Sequence, residues 1–429
     1  MKYESVAGPK PTPARRTIRR RGLWRHRDFL LLWSAQGISA VGSRITRTAL
    51  PMAAILTVGA SALDLGVLSV ALTLPGVLVA WLAGGWVDRH RRKPLLIGAD
   101  MMRAVALLTI PAAAMTGHLS LALLYAIAAI VGVFSVLFTV ADHVLITDLV
   151  APKRLLDANG KREAADAVAE ITGPALGGAL VAWLTAPIAI AVDSATFIAS
   201  ALLIGGIRRR ETIAAPAAAT SFVDDVRVGL HVVWRDRAIR ALLLATGTLT
   251  LCFSFMASLY TLYALRDLSL TPAQLGLVIG CGGIGGLAGA TLAAPVVRRY
   301  GVRRVLIGAL LLGGAMQILV PLAPPVPAIA MTFLIATQLI GDGALTVYLI
   351  NEATLRQRLL PPEALGRAAA TWAVVTGLLT PTGALLGAAL AETIGLRPTL
   401  WVLPAGGTIA ALWLIAARRA LVEDATARE

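Results

Sequence analysis

Long continuous apolar runs alternate with short polar segments along the whole chain. Each run reaches about 20 residues or more, the length that a helix needs to cross the hydrocarbon core of a bilayer. The runs do not alternate residue by residue, which excludes the strands of a membrane β-barrel. The pattern predicts an all-α membrane protein. Its twelve expected transmembrane helices lie at 29–57, 63–87, 94–116, 120–148, 163–185, 187–207, 239–264, 273–297, 302–322, 326–350, 366–391 and 396–418.

The apolar pattern repeats with an offset of 210 residues. The basic segment at 84–98 ends in Leu-Leu-Ile-Gly, and the segment at 298–308 ends in Val-Leu-Ile-Gly at the corresponding place. Residues 61–66 and 271–276 match at the same offset. Two six-helix halves in parallel orientation, with a central site at their interface, are typical of secondary transporters. We therefore expect two pseudo-symmetric halves.

The repeat divides the chain into five parts. The expected parts are a basic cytoplasmic tail (1–28), a first six-helix half (29–207), a linker (208–238), a second six-helix half (239–418) and a short cytoplasmic tail (419–429). Apolar positions at helical spacing in the second part of the linker, from Phe222 to Trp234, predict an amphipathic helix on the inner membrane face.

The composition supports a membrane protein, and the distribution of charge predicts its orientation in the membrane. The 429 residues are 57% hydrophobic and 15% charged, and the mean hydropathy is +0.76. The net charge of +15 would suggest nucleic-acid binding in a soluble protein, but here nine Lys and Arg precede residue 28 and most others fall in every second loop. Only Arg266 and Arg397 lie in the alternate loops. The positive-inside rule then places both termini in the cytoplasm and the chain in the plasma membrane, in contact with lipid.

The first basic loop resembles a known signature. Residues Gly84, Asp88, Arg89, Arg92 and Lys93 match the pattern G-x-x-x-D-R-x-G-R-R/K of the major facilitator superfamily. The resemblance implies twelve helices and a cytoplasmic latch, formed by the acid and the arginines, that joins the second and third helices to the other half. It is not a perfect match.

The sequence departs from this signature at two positions, and it offers one acid as a further partner for the latch. Arg91 replaces the usual glycine of the loop, and Arg298 replaces the acid in the second copy, so we expect an asymmetric latch. Asp148, at the end of the fourth predicted helix, is a plausible partner for Arg92.

Further segments are similar to the branch of the superfamily that exports drugs and siderophores, with macrolide-efflux and enterobactin-type exporters. The similar segments lie at 29–36, 47–51, 99–104 and 173–178. One departure is that residues 120–141 contain no arginine, although many proton-driven drug exporters carry one in this helix.

Charged residues inside the first predicted helix need a partner, a wet cavity or a function, because a charge at the bilayer centre is costly. Arg44 and Arg47 are three residues apart and therefore share one helix face. They are expected to line a cavity, where they would bind an anionic substrate group or influence a carboxylate. Structural ion pairing is the alternative.

Four acids are candidates for proton or substrate coupling. Asp142 and Glu352 are 210 residues apart and so belong at matching depths of the fourth and tenth spans, while Asp342 lies deeper in the tenth span and Asp193 lies nearer the outer end of the sixth. A carboxyl group withdrawn from water binds a proton more readily, which suits a proton-coupled antiporter. The alternative is structural pairing with loop arginines. Such pairing is the favoured role of Asp100, on one helix face with Arg103.

Glycine and proline residues within the spans indicate packing or kinking. Gly173, Pro174, Gly177 and Gly178 form a cluster in the fifth span, and Pro381 is its loose counterpart in the eleventh. The sequence of residues 280–285 satisfies G-x-G-x-x-G, but it lies inside an apolar run without a preceding strand, so a nucleotide site is excluded. Neither a Walker motif nor a metal-binding spacing is present, so we expect no ATP and no metal.

These features favour a secondary active exporter of an amphiphilic drug-like compound, natural product or siderophore. It would work as a monomer by alternating access, take no cofactor and use the proton gradient. An importer of a small polar nutrient is the alternative with the same fold. A non-transporting membrane enzyme or sensor is a third possibility, but neither a nucleophile nor a soluble domain supports it.

Overall fold

A computed structural model describes residues 23–88, 90–209 and 222–417, with the backbone alone for 81–88 and 222–225. Thirteen helices of 14 residues or more follow one another within these ranges. They are α1 Arg27–Val58, α2 Ala62–Asp88, α3 Arg92–Met115, α4 Leu121–Leu149, α5 Leu155–Trp183, α6 Ala186–Gly205, α7 Phe222–Arg235, α8 Arg237–Asp267, α9 Pro272–Tyr300, α10 Val302–Leu322, α11 Pro327–Leu359, α12 Pro362–Ile394 and α13 Leu396–Ala416. The expected all-α fold is confirmed.

Ten of the helices are long and apolar enough to cross a membrane, and α1, α5 and the linker helix α7 are not among them. Helices α1 and α5 are long enough to cross a membrane, but charged residues make both of them less apolar. Helix α1 carries Arg44 and Arg47, and α5 carries Glu163, Asp166 and Glu170, which lower the mean hydropathy of each. Both helices nevertheless pack inside the bundle, α1 against α5 and α6, and α5 against α9. Their charges therefore face other helices and a cavity rather than lipid.

The helix contacts repeat in the two halves. In the first half α1 packs on α5 and α6, α2 on α4, and α3 on α6. The corresponding pairs of the second half, α8 with α12 and α13, α9 with α11, and α10 with α13, pack in the same way. The halves meet along two seams, where α5 packs on α9 and α2 packs on α12. The offset of 210 residues in the sequence thus corresponds to a repeated helix topology.

The bundle has two distinct ends. We call the end at which α1 begins, α13 ends and α7 joins the halves the linker end, and the other the opposite end. The chain reverses at the linker end between α9 and α10 through a single residue, Gly301, whose φ of +79° lies in a region that other residues rarely adopt. Because this turn is so short, the end of α9 and the start of α10 lie next to each other.

Candidate functional site

A cavity of about 870 Å³ lies between the halves. It extends from the middle of the bundle towards the linker end, and its walls come from α1 and α5 on one side and from α8, α9 and α11 on the other. Its polar lining comprises Arg47, Glu163, Glu170, Gln338 and Asp342, together with Thr346. Apolar side chains, among them Phe253, Met256 and Ile279, form much of the remaining wall. A cavity with apolar walls and a few charges suits an amphiphilic small molecule.

One acid in this cavity holds both arginines of α1. Glu170 Oε2 lies 2.7 Å from Arg44, and Oε1 accepts a hydrogen bond of 2.7 Å from Arg47. All three side chains are partly exposed, so the ion pairs face the cavity rather than the protein core. Arg47 therefore lines the cavity, Arg44 lies beside it, and the charge of both arginines is partly neutralised by an acid of the neighbouring helix.

Asp342 faces this group from the other half. Its carboxylate lies against the backbone of Gly282 in α9, beside the amide of Gln338. Within the described residues it forms neither a hydrogen bond nor an ion pair, and Glu170 acts on it through charge repulsion. Burial without a cation makes the ionised form of a carboxyl group less favourable. Asp342 is thus an acid of the cavity without a cationic partner among the described residues.

The halves close the cavity from the opposite end through direct backbone contact. A methyl group added to Gly178 of α5 would lie only 2.8 Å from Cα of Gly276 in α9, so the two helices touch here without side chains. Arg266 donates a hydrogen bond of 2.9 Å to the carbonyl oxygen of Ala60 across the halves. The backbone N–H of Leu63 donates to Glu392 at 3.2 Å in the second seam. Such contacts must break before the cavity can open at this end.

Asp142 and Glu352 lie outside the cavity lining. Each is buried seven residues before the end of its helix, at 149 in α4 and at 359 in α11, so their matching depth is observed. Asp142 accepts a hydrogen bond from Gln36 and lies 3.6 Å from Arg162. Glu352 lies 3.5 Å from Arg356.

A separate charged cluster is buried in the first half. The expected pairing of Asp100 with Arg103 is confirmed by an ion pair between two buried side chains. The guanidinium of Arg103 is sandwiched between the rings of Phe138 and Phe197, 4.6 and 4.1 Å from their centres. Asp193 is fully buried nearby, accepts a hydrogen bond of 2.9 Å from Thr196 and interacts electrostatically with Arg103. These residues hold α3, α4 and α6 together, away from the cavity.

The latch residues are only partly visible. The structure describes only the backbone of Gly84 and Asp88, and Arg89 lies outside the described residues, so the expected role of these three residues remains a prediction. Two further latch residues and Asp148 are described. Arg92 is buried, and Lys93 Nζ donates to the carbonyl oxygens of Gly205 and Ile207 at 2.7 and 2.6 Å. One buried carboxylate oxygen of Asp148 accepts no hydrogen bond from the residues that the structure describes.

The glycine and proline cluster of α5 faces two neighbours. Gly173 lies against the side chain of Arg44, and Gly177 lies against the backbone of Ile45, while Gly178 makes the contact with α9 described above. Pro174 is inside the helix, as Pro381 is inside α12. The glycines thus allow α5 to approach α1 and α9 closely. The G-x-G-x-x-G segment lies inside α9, as expected from its apolar context.

Comparison with known proteins agrees with this architecture. A family model described as transmembrane secretion effector matches residues 23–428. The chain is 28% identical over 385 residues to the multidrug efflux pump Tap of Mycolicibacterium fortuitum, covering 87% of this chain and 92% of that protein. It is 24% identical over 390 residues to macrolide efflux protein A of Streptococcus pyogenes, covering 90% and 94%. A crystal structure of a bacterial homologue of the iron transporter ferroportin, in an inward-facing state, has a TM-score of 0.73 at 18% identity and covers 92% of this chain and 99% of its own.

The family match and these relatives identify the chain, which has the expected fold, as a multi-pass membrane transporter of the major facilitator superfamily rather than an enzyme. Within it, the chain belongs to the transmembrane secretion effector family.

Sequence reasoning missed the residue on which the cavity charges depend. Glu170 was not singled out, although it follows Glu163 and Asp166 on one face of α5, at spacings of seven and four residues. This acidic face, three residues before the Gly173-Pro174 pair, was the available signal. Gln36 and Arg162, the neighbours of Asp142, were also missed, because only the packing of α1 and α5 on α4 brings them together.

Proposed function

We propose that this protein is a secondary active exporter of cationic or neutral amphiphilic compounds, driven by protons, with both termini in the cytoplasm. The single observation that carries the proposal is the cavity between the halves. It lies towards the linker end, is closed at the opposite end by Gly178 and Gly276, and combines apolar walls with the carboxylate of Asp342, which pairs with no cation in the part of the chain that the structure describes. A substrate from the cytoplasm or the inner leaflet would enter this state.

Charge favours an amphiphile that is not an anion. Arg44 and Arg47 are already engaged by Glu170, whereas Asp342 has no cationic partner among the described residues. A substrate amine at Asp342 would supply the missing positive charge, and its apolar part would contact Phe253 and Met256. The names of two relatives, a multidrug efflux pump and a macrolide efflux protein, support export of such compounds.

Substrate export is coupled to proton uptake because the substrate and the proton compete for the carboxylate of Asp342. When the cavity is empty, a proton on Asp342 removes the penalty of an unpaired charge in partly buried surroundings. A cationic substrate favours the ionised form and displaces that proton into the cytoplasm. After the halves rock to the outward-facing state, protonation of Asp342 from the outside releases the substrate. Each cycle thus exchanges substrate for at least one proton.

The proposed cycle is tested in proteoliposomes that contain the purified protein and an imposed pH gradient. Molecules inserted with the linker end outwards should accumulate a cationic dye when the lumen is acidic, and an uncoupler should abolish the accumulation. Liposomes without protein provide the control for passive dye movement. Accumulation that survives the uncoupler would contradict proton coupling, and the absence of any protein-dependent dye movement would contradict the substrate class.

The orientation has its own test. A reporter that fluoresces only in the cytoplasm, fused after residue 429, should be bright, and alkaline phosphatase fused at the same point should be inactive. The reverse pattern would place the linker end outside the cell and turn the proposed exporter into an importer.

A further inference from the structure

A second cavity lies on the outside of the helix bundle in the second half, away from the cavity between the halves. It is a groove of about 610 Å³ with walls from α9 and α10 and a floor from α11. The groove and the central cavity share no lining residue, because they use different faces of α9 and α11. Leu292, Leu312 and Ile340 on the groove are about half exposed, so the groove faces outwards. In a membrane that surface meets lipid.

Glycine residues, which have no side chain, create the space in the groove. Gly289 of α9 sits directly against the backbone of Gly343 in α11, which lets the floor lie deep between the walls. A methyl group added to Gly308 of α10 would find no atom within 4 Å. Tyr300 and Arg304, on the two sides of the turn at Gly301, both line the groove, so this turn bounds the groove at the linker end.

The closed end carries cationic side chains. Arg304 and Tyr300 line the groove there, and the guanidinium of Arg299 stacks 5.5 Å from the ring centre of Tyr300. Arg298 and Arg303 lie on the same turn. None of these four arginines forms an ion pair with a carboxylate in the described ranges, so their charge is available to an anion at the membrane surface.

The first half contains the counterpart of this groove, and there it is largely filled. A pocket of only about 160 Å³ is lined by Pro94, Leu95, Gly98, Ala99, Met102, Phe134 and Leu137. Adding 210 to each number gives Arg304, Val305, Gly308, Ala309, Leu312, Ala344 and Val347, and all seven line the groove of the second half.

Two differences separate the two copies. Phe134 occupies space that Ala344 leaves free, and Pro94 stands where the second half has Arg304. A duplicated groove that has both gained volume and gained a cation in one copy has the two features that a lipid site requires, an apolar channel and a headgroup contact.

We infer that the groove of α9, α10 and α11 binds one anionic phospholipid from the leaflet at the linker end. One acyl chain lies over Gly308 and Ala344, and the headgroup phosphate binds Arg304, with the Tyr300 hydroxyl as a second donor. The site does not depend on the proposed transport activity, because it lies on the other face of α9. A bound lipid would fill the space that Gly308 and Ala344 leave between α10 and α11.

Native mass spectrometry of the purified, delipidated protein tests this site. Phosphatidylglycerol and phosphatidylcholine are titrated separately, and the wild-type protein should bind one phosphatidylglycerol at least about fivefold more tightly than phosphatidylcholine, the factor expected from one basic residue near an anionic headgroup. Ala344→Phe, which copies the first half, should abolish this tight binding. Arg304→Gln should remove the preference for phosphatidylglycerol over phosphatidylcholine, while the groove still binds the acyl chain of either lipid.

The first half offers a matched gain-of-function control. Phe134→Ala alone should open the smaller pocket without creating a preference for phosphatidylglycerol, and Phe134→Ala combined with Pro94→Arg should add a second tight site. Gly308→Leu provides an independent way to fill the groove if Ala344→Phe does not yield folded protein. Equal binding of the two lipids by the wild type, or unchanged phosphatidylglycerol binding in a folded groove-filling variant, would overturn the inference.

Discussion

The carboxylate of Glu170 in α5 lies 2.7 Å from the guanidinium of Arg47 in α1. The other oxygen of the same carboxylate lies 2.7 Å from Arg44, so one acid serves two cations. This contact fixes the charge of the cavity wall opposite Asp342. It also explains how α1 keeps two arginines in its middle without exposing them to lipid.

Removal of the Glu170 charge should impair transport of a cation. In Glu170→Gln both arginines face the cavity without compensation and repel a cationic dye from Asp342. Dye transport by proteoliposomes should fall about tenfold, because an uncompensated charge in a partly buried site is worth on the order of 1 kcal/mol or more. Glu363→Gln, at the exposed start of α12, is the control and should transport normally. Full activity of Glu170→Gln would remove this acid from the mechanism.

Closure at the opposite end depends on the contact of Gly178 with Gly276. Gly178→Val inserts a side chain where no space exists, so the outward-facing state should gain population. Spin labels at positions 63 and 392, which lie together in the closed state, should then show a longer distance in double electron–electron resonance. Gly98→Val is the matched control, because an added methyl group there meets no atom within 4 Å. An unchanged distance distribution in Gly178→Val would contradict the assigned seal.

Two arginines near the opposite end provide a second comparison. Arg266 donates to Ala60 across the halves, whereas Arg397 donates to Ala323 within the second half, and both distances are 2.9 Å. Arg266→Gln should shift the same spin-label distance by weakening the closed state, by about 1 kcal/mol as expected for one hydrogen bond. Arg397→Gln should leave the distance unaltered. Equal effects of both substitutions would show that the shift has another origin.

The buried cluster of the first half should affect stability rather than coupling. Arg103→Met leaves Asp100 and Asp193 without their cation, and breaking a buried pair costs about 3–5 kcal/mol. A large fall in the thermal unfolding temperature in detergent is expected. Arg103→Met combined with Asp100→Asn should recover part of the loss, since one unpaired charge is then absent. No recovery would indicate that the stacking on Phe138 and Phe197 provides most of the stability.

The sequence predicted the features that depend on local pattern. Apolar run length located the twelve long helices of the two halves, ten of which are long and apolar enough to cross a membrane within the described residues. The offset of 210 residues predicted both the repeated topology and the matching depth of Asp142 and Glu352. The spacing of Asp100 and Arg103 on one helix face predicted their ion pair correctly, because partners three residues apart need no knowledge of other helices.

The sequence did not predict contacts that depend on how helices pack. Nothing in the local pattern distinguishes Asp342, which faces the cavity, from Asp142, which faces Gln36 and Arg162. The pairing of Glu170 with two arginines more than 120 residues away also needs the packing of α5 on α1. The groove of the second half depends on the close contact of Gly289 with Gly343, which the sequence pattern of either helix does not show.

The central claim is that Asp342 couples substrate binding to proton release. Measuring the protons released when substrate binds tests this claim most directly. Purified protein in weakly buffered detergent solution, at a pH where Asp342 is protonated in the empty state, should release about one proton for each cationic substrate that binds. The matched variants Asp142→Asn and Glu352→Gln should release the same amount. Asp342→Asn should bind substrate without releasing a proton, and proton release from Asp342→Asn equal to that of the wild type would contradict the account.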